Sequence, residues 1–96
     1  MIASFGNALA EDLFHGLATK AVRSFPAELR RGAERKLQYL NATKVLADLK
    51  VPPGNRLEAL KGDFRGFHSI RINDQWRIVF RWEAGNAEDV QVVDYH

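Results

Sequence analysis

With 96 residues, 46% of them hydrophobic and 27% charged, the chain has the size and composition of one globular domain, which we assign to residues 1–96. The absence of cysteine excludes disulfides, thiol nucleophiles and thiolate metal sites. The net charge of +2 is small, no apolar run reaches the roughly 20 residues of a membrane helix, and no signal-peptide pattern begins the chain, so we expect a cytoplasmic protein with no membrane partner.

The first half of the chain predicts one short strand and two helices. Residues 2–5 alternate in polarity and predict the strand. Asn7 is placed to cap a helix that runs through Phe14, and Gly16 is placed to end it. A second helix is predicted by apolar residues at helical spacing, with Ser24 as its cap and Pro26 in its first turn. These apolar residues are Leu29, Ala33, Leu37 and Leu40.

The remainder of this half predicts close packing, a third helix and a turn. Gly32 weakens the second helix by about 1 kcal/mol relative to alanine, so we expect another element to pack closely against it. Thr43 is placed to cap a short helix that ends near Lys50. Residues 51–55 contain two prolines and a glycine, and they predict an ordered turn rather than a domain linker.

The second half predicts an antiparallel meander that begins near residue 57, with turns at 73–74 and 84–86 and a last strand over residues 90–95. In each predicted strand, every second side chain points to the buried face of the sheet, and the side chains between them point to the opposite face. The buried set is Ile70, Ile72, Trp76, Ile78, Phe80 and Trp82, and the alternate set is Ser69, Arg71, Arg77, Val79 and Arg81. The predicted class is α+β, a small antiparallel sheet packed against two or three helices.

Arginines dominate the predicted open face of this sheet. Arg71, Arg77 and Arg81 lie on neighbouring strands and would repel one another unless they are paired or solvated. For any single arginine, a solvated position with an acidic partner is the simpler interpretation. For the set as a whole, an anion-binding surface is an equal alternative.

Several common site types have no support in the sequence. The glycine-flanked Lys61 lacks the glycine spacing and the following Ser or Thr of a Walker loop. Three histidines, His15, His68 and His96, are too scattered along the chain to predict a metal site. No serine-nucleophile motif and no paired-carboxylate signature occurs. We therefore expect no metal and no cofactor.

The final residues of the sequence suggest proton-transfer chemistry. In an extended strand, Asp94 and His96 share a face while Tyr95 points away. A carboxylate that orients an imidazole beside cations could support RNA cleavage by the 2′-hydroxyl, a reaction that needs a base, an acid and positive charge but no metal. The alternative is an ordinary strand end whose last residue is frayed.

Three sequence blocks resemble the HigB-type branch of the RelE/ParE toxin superfamily. They are LKGD at residues 60–63, SIRINDQWRI at 69–78 and VDYH at 93–96, and the opening MIxSF is also similar. The resemblance implies a RelE-like (microbial-RNase-like) fold and a type II toxin. It implies a ribosome-dependent endoribonuclease, or mRNA interferase, that cleaves mRNA in the A site of the 30S subunit and inhibits translation.

The resemblance also implies partners and site residues. The partners are a HigA-like helix-turn-helix antitoxin, the ribosome and mRNA, with operator DNA bound only through the toxin–antitoxin complex. In the implied site the scissile phosphate is held by Lys61 and Arg77. Tyr95 orients a nucleotide, while Asp94 and His96 handle protons. Arg65 of the loop, with Arg71 and Arg81 of the alternate face, would bind RNA.

One position departs from the family pattern. Some members carry a histidine three residues before the loop lysine, where this chain has Glu58. The general base is therefore either His96 or Glu58, since burial can raise a carboxyl pKa into a useful range.

Other functions remain open from the sequence. One is a nuclease that cuts RNA without the ribosome, and another is a ParE-like toxin that binds gyrase. A third is an inactive partner that acts only with its antitoxin. The helix cations could contact ribosomal RNA, although a solvated face is the simpler interpretation. These cations are Arg30, Arg31, Arg35 and Lys36.

Overall fold

The computed structural model describes residues 1–95, and within them three α-helices precede a four-stranded antiparallel sheet. The helices are α1 (Ala8–Phe14), α2 (Lys20–Arg23) and α3 (Arg30–Ala42). The strands are β1 (Glu58–Ala59), β2 (His68–Arg71), β3 (Trp76–Glu83) and β4 (Asn86–Asp94), and they lie in the sheet in that order. The predicted α+β class is confirmed.

The strand predicted at residues 2–5 is wrong. The segment instead forms two isolated parallel bridges to β4, from Ile2 to Ala87 and from Phe5 to Val90. Between these bridges Asp89 adopts the left-handed conformation (φ 53°) and donates its N–H to the Ser4 hydroxyl at 2.9 Å. This bulge interrupts the ladder that a continuous strand would require.

The first helix is confirmed together with its cap. The Asn7 carbonyl oxygen Oδ1 accepts a hydrogen bond from the Ala10 N–H at 3.0 Å, and Gly16 follows the helix with φ +67°. The Asn7 amide also donates to the Val92 carbonyl at 3.0 Å. One side chain therefore begins α1 and ties it to β4.

The predicted start of the second helix is wrong. Ser24 does not cap it but follows the unpredicted helix α2, and its hydroxyl donates to the Lys20 carbonyl at 3.0 Å. The helix is entered through a 3-10 turn, Ala27–Leu29, that follows Pro26. Local side-chain bonding to the preceding turn makes serine equally suitable at either helix end, so its residue type does not decide the boundary.

Thr43 ends α3 and does not begin a third α-helix. Its hydroxyl donates to the Tyr39 carbonyl at 2.8 Å, one turn earlier in α3. The segment that follows is a 3-10 helix, Leu46–Lys50. The turn at 51–55 is present and contains a further short 3-10 helix, Pro53–Asn55.

The main core lies between the helices and one face of the sheet, as the sequence predicted. Its fully buried side chains include Leu37 and Leu40 of α3, Ile70 of β2, and Ile78 and Phe80 of β3. On β4 the core residues are Ala87, Val90 and Val92. Their uneven spacing follows from the bulge at Asp89, which shifts the alternation of β4 by one residue.

The expectation of close packing at Gly32 is wrong, because no atom outside the helix backbone lies within 4 Å of a Cβ built there. We therefore predict that Gly32→Ala raises the free energy of unfolding by about 1 kcal/mol, as alanine fits helical geometry and restricts the unfolded chain. Urea denaturation would measure the change. Gly62→Ala is the matched control: its position is equally open but has φ +66°, so this variant should lose stability. A Gly32→Ala variant less stable than the parent would contradict the prediction.

Candidate functional site

The sheet face that the helices leave open carries two adjacent rows of side chains. One row crosses β1, β2 and β3 through Glu58, Ser69 and Val79. The next row places Arg71 directly opposite Arg77, and Arg77 opposite Val93 of β4. Because facing residues in paired strands project to the same side of a sheet, a carboxylate, a hydroxyl and two guanidinium groups share this surface.

Arg77 is the centre of this face. Its Nη1 donates to the Ser69 hydroxyl at 3.3 Å and lies 3.9 Å from Oε1 of Glu58. Its Cζ lies 5.6 Å from the centre of the Tyr95 ring. The Arg77 side chain is only 15% exposed, so these neighbours fix its orientation. A guanidinium has five N–H donors, and several remain to bind an anion at this position.

A small second core supports the site from the loop between β1 and β2. Leu60, Phe67 and Val79 are buried together, and Phe64 and Tyr95 pack against them. The loop closes where the Leu60 N–H donates to the Phe67 carbonyl at 2.9 Å. This packing brings the loop over the open face and places its cations at the rim.

Lys61 lies at the start of that loop, directly before the 3-10 turn Gly62–Phe64. Its side chain is exposed, and within residues 1–95 no hydrogen-bond or ion-pair partner is found for its ammonium group. An unpaired lysine at the rim retains its full charge for a ligand.

Three aromatic rings continue the site away from Arg77. Tyr95 lies 6.2 Å from Phe64, and Phe64 lies 5.5 Å from Phe67, measured between ring centres. Arg81 covers the far end of the row, with its Cζ 4.4 Å from the centre of the Phe67 ring. The Tyr95 N–H donates to the Gln75 carbonyl at 2.8 Å, which holds the backbone of Tyr95 to the β2–β3 turn.

The three arginines predicted to bind RNA have different surroundings. Arg71 forms a hydrogen-bonded ion pair with Asp74. Arg81 Nε lies 3.3 Å from Oδ2 of Asp89. Arg65 is exposed and has no acidic partner within the described chain. The acidic neighbours reduce the net positive charge at Arg71 and Arg81, whereas Arg65 retains its own.

Asp94 lies on the other side of β4 from Arg77. Asp94 is paired with Trp76 of β3, whereas Arg77 is paired with Val93, and neighbouring residues of a strand point to opposite faces. The Asp94 Oδ2 accepts a hydrogen bond from Gln75 Nε2 at 2.9 Å. The structure therefore places Tyr95, and not Asp94, beside Arg77. His96 lies outside the described residues, so the shared face predicted for Asp94 and His96 stays a prediction.

Sequence reasoning did not assign two residues to the site. Alternation placed Ser69 on the same face as Arg71 and Arg77, but it did not predict that the Ser69 hydroxyl accepts a hydrogen bond from Arg77. Phe64 gave no such signal, since it lies in a loop without periodicity. Its contact with Tyr95 depends on the closure of the β1–β2 loop.

Neither a metal-binding cluster nor a membrane-spanning helix is found in residues 1–95. No group of three or more His, Asp or Glu side chains in them is arranged to hold a metal ion. None of their helices has the length and apolar character needed to cross a bilayer.

A family model described as the RelE-like toxin of type II toxin–antitoxin system HigB matches residues 3–96. The chain belongs to this toxin family. It is 43% identical to Toxin HigB-1 of Vibrio cholerae serotype O1 over 68 residues. These 68 residues are 71% of this chain and 72% of that protein. It is 31% identical over 96 residues to Endoribonuclease HigB of Proteus vulgaris, across the whole length of both.

The fold of the toxin is also found among solved structures. A chain of the YoeB–YefM complex from Staphylococcus aureus superposes with a TM-score of 0.55 at 14% identity, covering 100% of this chain and 98% of that one. At this identity the likeness concerns the fold alone. The resemblance inferred from the three sequence blocks and the RelE-like fold that it implied are both confirmed.

The ion pair between Arg71 and Asp74 generates a prediction about acid titration. The hydrogen bond from Arg71, and then its charge, lower the pKa of the Asp74 carboxyl below its ordinary value. The stabilisation from this pair is therefore complete above the unfolded-state pKa of aspartate and is lost as pH falls through the folded-state pKa. Arg71→Gln should raise the pKa of Asp74 towards its ordinary value, measured by carboxyl carbon NMR.

The matched control for this titration is Arg65→Gln, which removes an exposed arginine that does not contact Asp74. The control should leave the Asp74 titration unchanged. An Asp74 pKa that is the same in the parent and in Arg71→Gln would contradict the assigned cause.

Proposed function

We propose that this toxin is an endoribonuclease that stops translation by cutting mRNA in the ribosomal A site, through attack of a 2′-hydroxyl on the adjacent phosphate. The observation that carries the proposal is the guanidinium of Arg77 on the open sheet face, which is oriented by Ser69, Glu58 and Tyr95 and keeps further N–H donors for an anion. The relative in Proteus vulgaris that is named Endoribonuclease HigB supports RNA cleavage as the activity.

Cations supply the electrostatic part of this mechanism. Arg77 binds the scissile phosphate with its remaining N–H donors, and Lys61 approaches the same phosphate from the loop rim. Both groups stabilise the additional negative charge of the phosphorane-like transition state. The half-buried rings of Tyr95 and its neighbour Phe64 orient the flanking nucleobase by stacking.

Two proton transfers complete the reaction, one from the 2′-hydroxyl and one to the leaving 5′-oxygen. Glu58 lies on the site face next to Arg77 and is 52% exposed, so a ribose can reach it. We assign the base to Glu58 and the acid to His96. Asp94 acts on His96, two residues later in the chain, rather than on the phosphate.

The proposed partners follow from this function. They are mRNA, the 30S A site and a HigA-like helix-turn-helix antitoxin in the cytoplasm, with operator DNA bound only by the toxin–antitoxin complex. An antitoxin partner is supported by the similar fold in the YoeB–YefM complex. RNA contacts of Arg65, Arg71 and Arg81 would extend from the rim of the site, with Arg65 contributing most because it has no acidic neighbour.

The decisive test is to induce the toxin without an antitoxin and map new RNA 5′ ends against reading frames. We expect cuts within translated regions, in phase with codons. Removing Arg77, Lys61 or His96 by alanine substitution should lower the cleavage rate about 10²–10³-fold, because each supplies transition-state charge or a proton. Arg23→Ala on α2 is the control and should cleave as the parent does.

Two other results would replace this function. Cleavage of purified mRNA at the same rate without ribosomes would identify a ribosome-independent nuclease. Growth arrest with intact mRNA would instead indicate a toxin that acts by binding, as a ParE-like gyrase inhibitor would.

A pH profile tests the assignment of Glu58. If Glu58 is the base, Glu58→Gln should lower kcat about 10²–10⁴-fold. Glu58→His should restore part of the rate and move the acidic limb of the profile to higher pH, because an imidazole is ordinarily a stronger base than a carboxylate. Asp63→Asn is the control, because it removes an exposed carboxylate of the β1–β2 loop. A fully active Glu58→Gln would transfer the role of base to His96.

A further inference from the structure

An apolar groove of about 460 Å³ lies along α3, outside the residues of the proposed nuclease site. Successive turns of α3 form one wall of the groove, and the turn at residues 51–55 forms the opposite wall. The lining residues are Gly32, Arg35, Lys36, Tyr39, Val51, Pro52 and Asn55. Their spacing on α3 is that of a single helix face.

The floor and walls of this groove expose apolar surface. A Cβ at Gly32 would meet open space, and this mid-helix glycine has no packing partner in the described chain. Tyr39 is 40% exposed and Val51 is 65% exposed. Exposed side chains such as Tyr39 and Val51 on a groove that also has open helix surface at Gly32 form an apolar patch of the kind that another chain covers.

Hydrogen bonds hold the groove in shape. The Tyr39 hydroxyl lies 3.1 Å from the Asp48 carbonyl and 3.2 Å from the Val51 carbonyl, and these are its acceptors. Asn55 is buried and donates its amide to the Leu49 carbonyl at 3.2 Å and to the Val51 carbonyl at 3.4 Å. The wall is therefore preorganised, which lowers the entropy cost of binding a partner.

The helix wall of the groove carries two cations, which lie between Gly32 and Tyr39 in the sequence of α3. Lys36 donates to the Asn55 carbonyl oxygen Oδ1 at 2.6 Å, and Arg35 lies beside it, exposed on the same helix. Burial and then the nearby charge of Arg71 lower the pKa of Lys36. Within residues 1–95 no acidic side chain lines the groove, so a partner's carboxylate would relieve an unfavourable concentration of positive charge.

We propose that this groove binds an acidic amphipathic segment of the antitoxin. Apolar side chains of that segment lie over Gly32 and against Tyr39 and Val51, and its carboxylates pair with Arg35 and Lys36. The inference rests on the proposed function only in taking a protein antitoxin as the partner. The apolar surface at Val51 and Pro52 favours a protein segment over RNA, because single-stranded RNA binds grooves in which successive bases stack on several aromatic rings, and among the described residues Tyr39 supplies one ring to this groove.

The first test fills the groove. Gly32→Leu should weaken binding of the purified antitoxin, the protein that neutralises this toxin in cells, at least tenfold in a calorimetric titration. Its melting temperature should not fall, because leucine favours the helix more than glycine does. Ala42→Leu adds the same side chain at an exposed position of α3 outside the groove and should bind antitoxin as the parent does.

The second test reverses the charge of Arg35, one of the two cations that line the groove. Arg35→Glu should weaken antitoxin binding at least tenfold at low salt and reduce the salt dependence of binding. Arg31→Glu, an equal charge change on the same helix outside the groove, should have a much smaller effect. Antitoxin binding that is unchanged in both Gly32→Leu and Arg35→Glu would overturn the proposal.

Binding of RNA by the groove is the alternative that these experiments would reveal. If the groove variants bind antitoxin normally but lose affinity for ribosomes, the groove is an RNA contact and the proposal is wrong. Nuclease activity is measured separately on the same variants. A toxin that cuts no RNA, but loses antitoxin binding when the groove is filled, would overturn the nuclease function and support the groove.

Discussion

Strand β3 buries side chains on both faces of the sheet, and the rest of the structure depends on this constraint. Ile78 and Phe80 pack against the helices, while Val79, between them, is fully buried beneath the β1–β2 loop. A strand with one buried face and one solvated face would need only the helices to cover it. Here the loop must also close, because an exposed Val79 would forfeit roughly 1.5–3 kcal/mol of burial.

The closure of that loop assembles the candidate site. Leu60 and Phe67 are held over Val79, and this fixes Lys61 and Phe64 relative to the open face. Arg77 is therefore oriented by its contacts with Glu58, Ser69 and Tyr95 rather than by a deep cleft. The site is a supported guanidinium on a sheet surface, which suits a large substrate that must approach from outside.

Charge is distributed so that the two proposed binding surfaces differ in chemistry. On the sheet face, Arg71 and Arg81 have acidic partners, whereas Lys61 and Arg65 have none in the described residues. Along α3, cations border an apolar groove rather than an array of polar donors. Phosphates suit the first surface and an acidic amphipathic peptide suits the second, so the toxin could engage RNA and its neutralising partner through separate faces.

The sequence by itself determined the α+β class, the cap at Asn7, the helix face of Leu37 and Leu40, and the two faces of β3, because each follows from local periodicity or a short-range hydrogen bond. Tertiary structure alone decided the rest. The bulge at Asp89 replaced the first strand with two bridges, and loop closure brought Phe64 to Tyr95. Both depend on contacts between residues far apart in the chain, whose pairing energy no local pattern encodes.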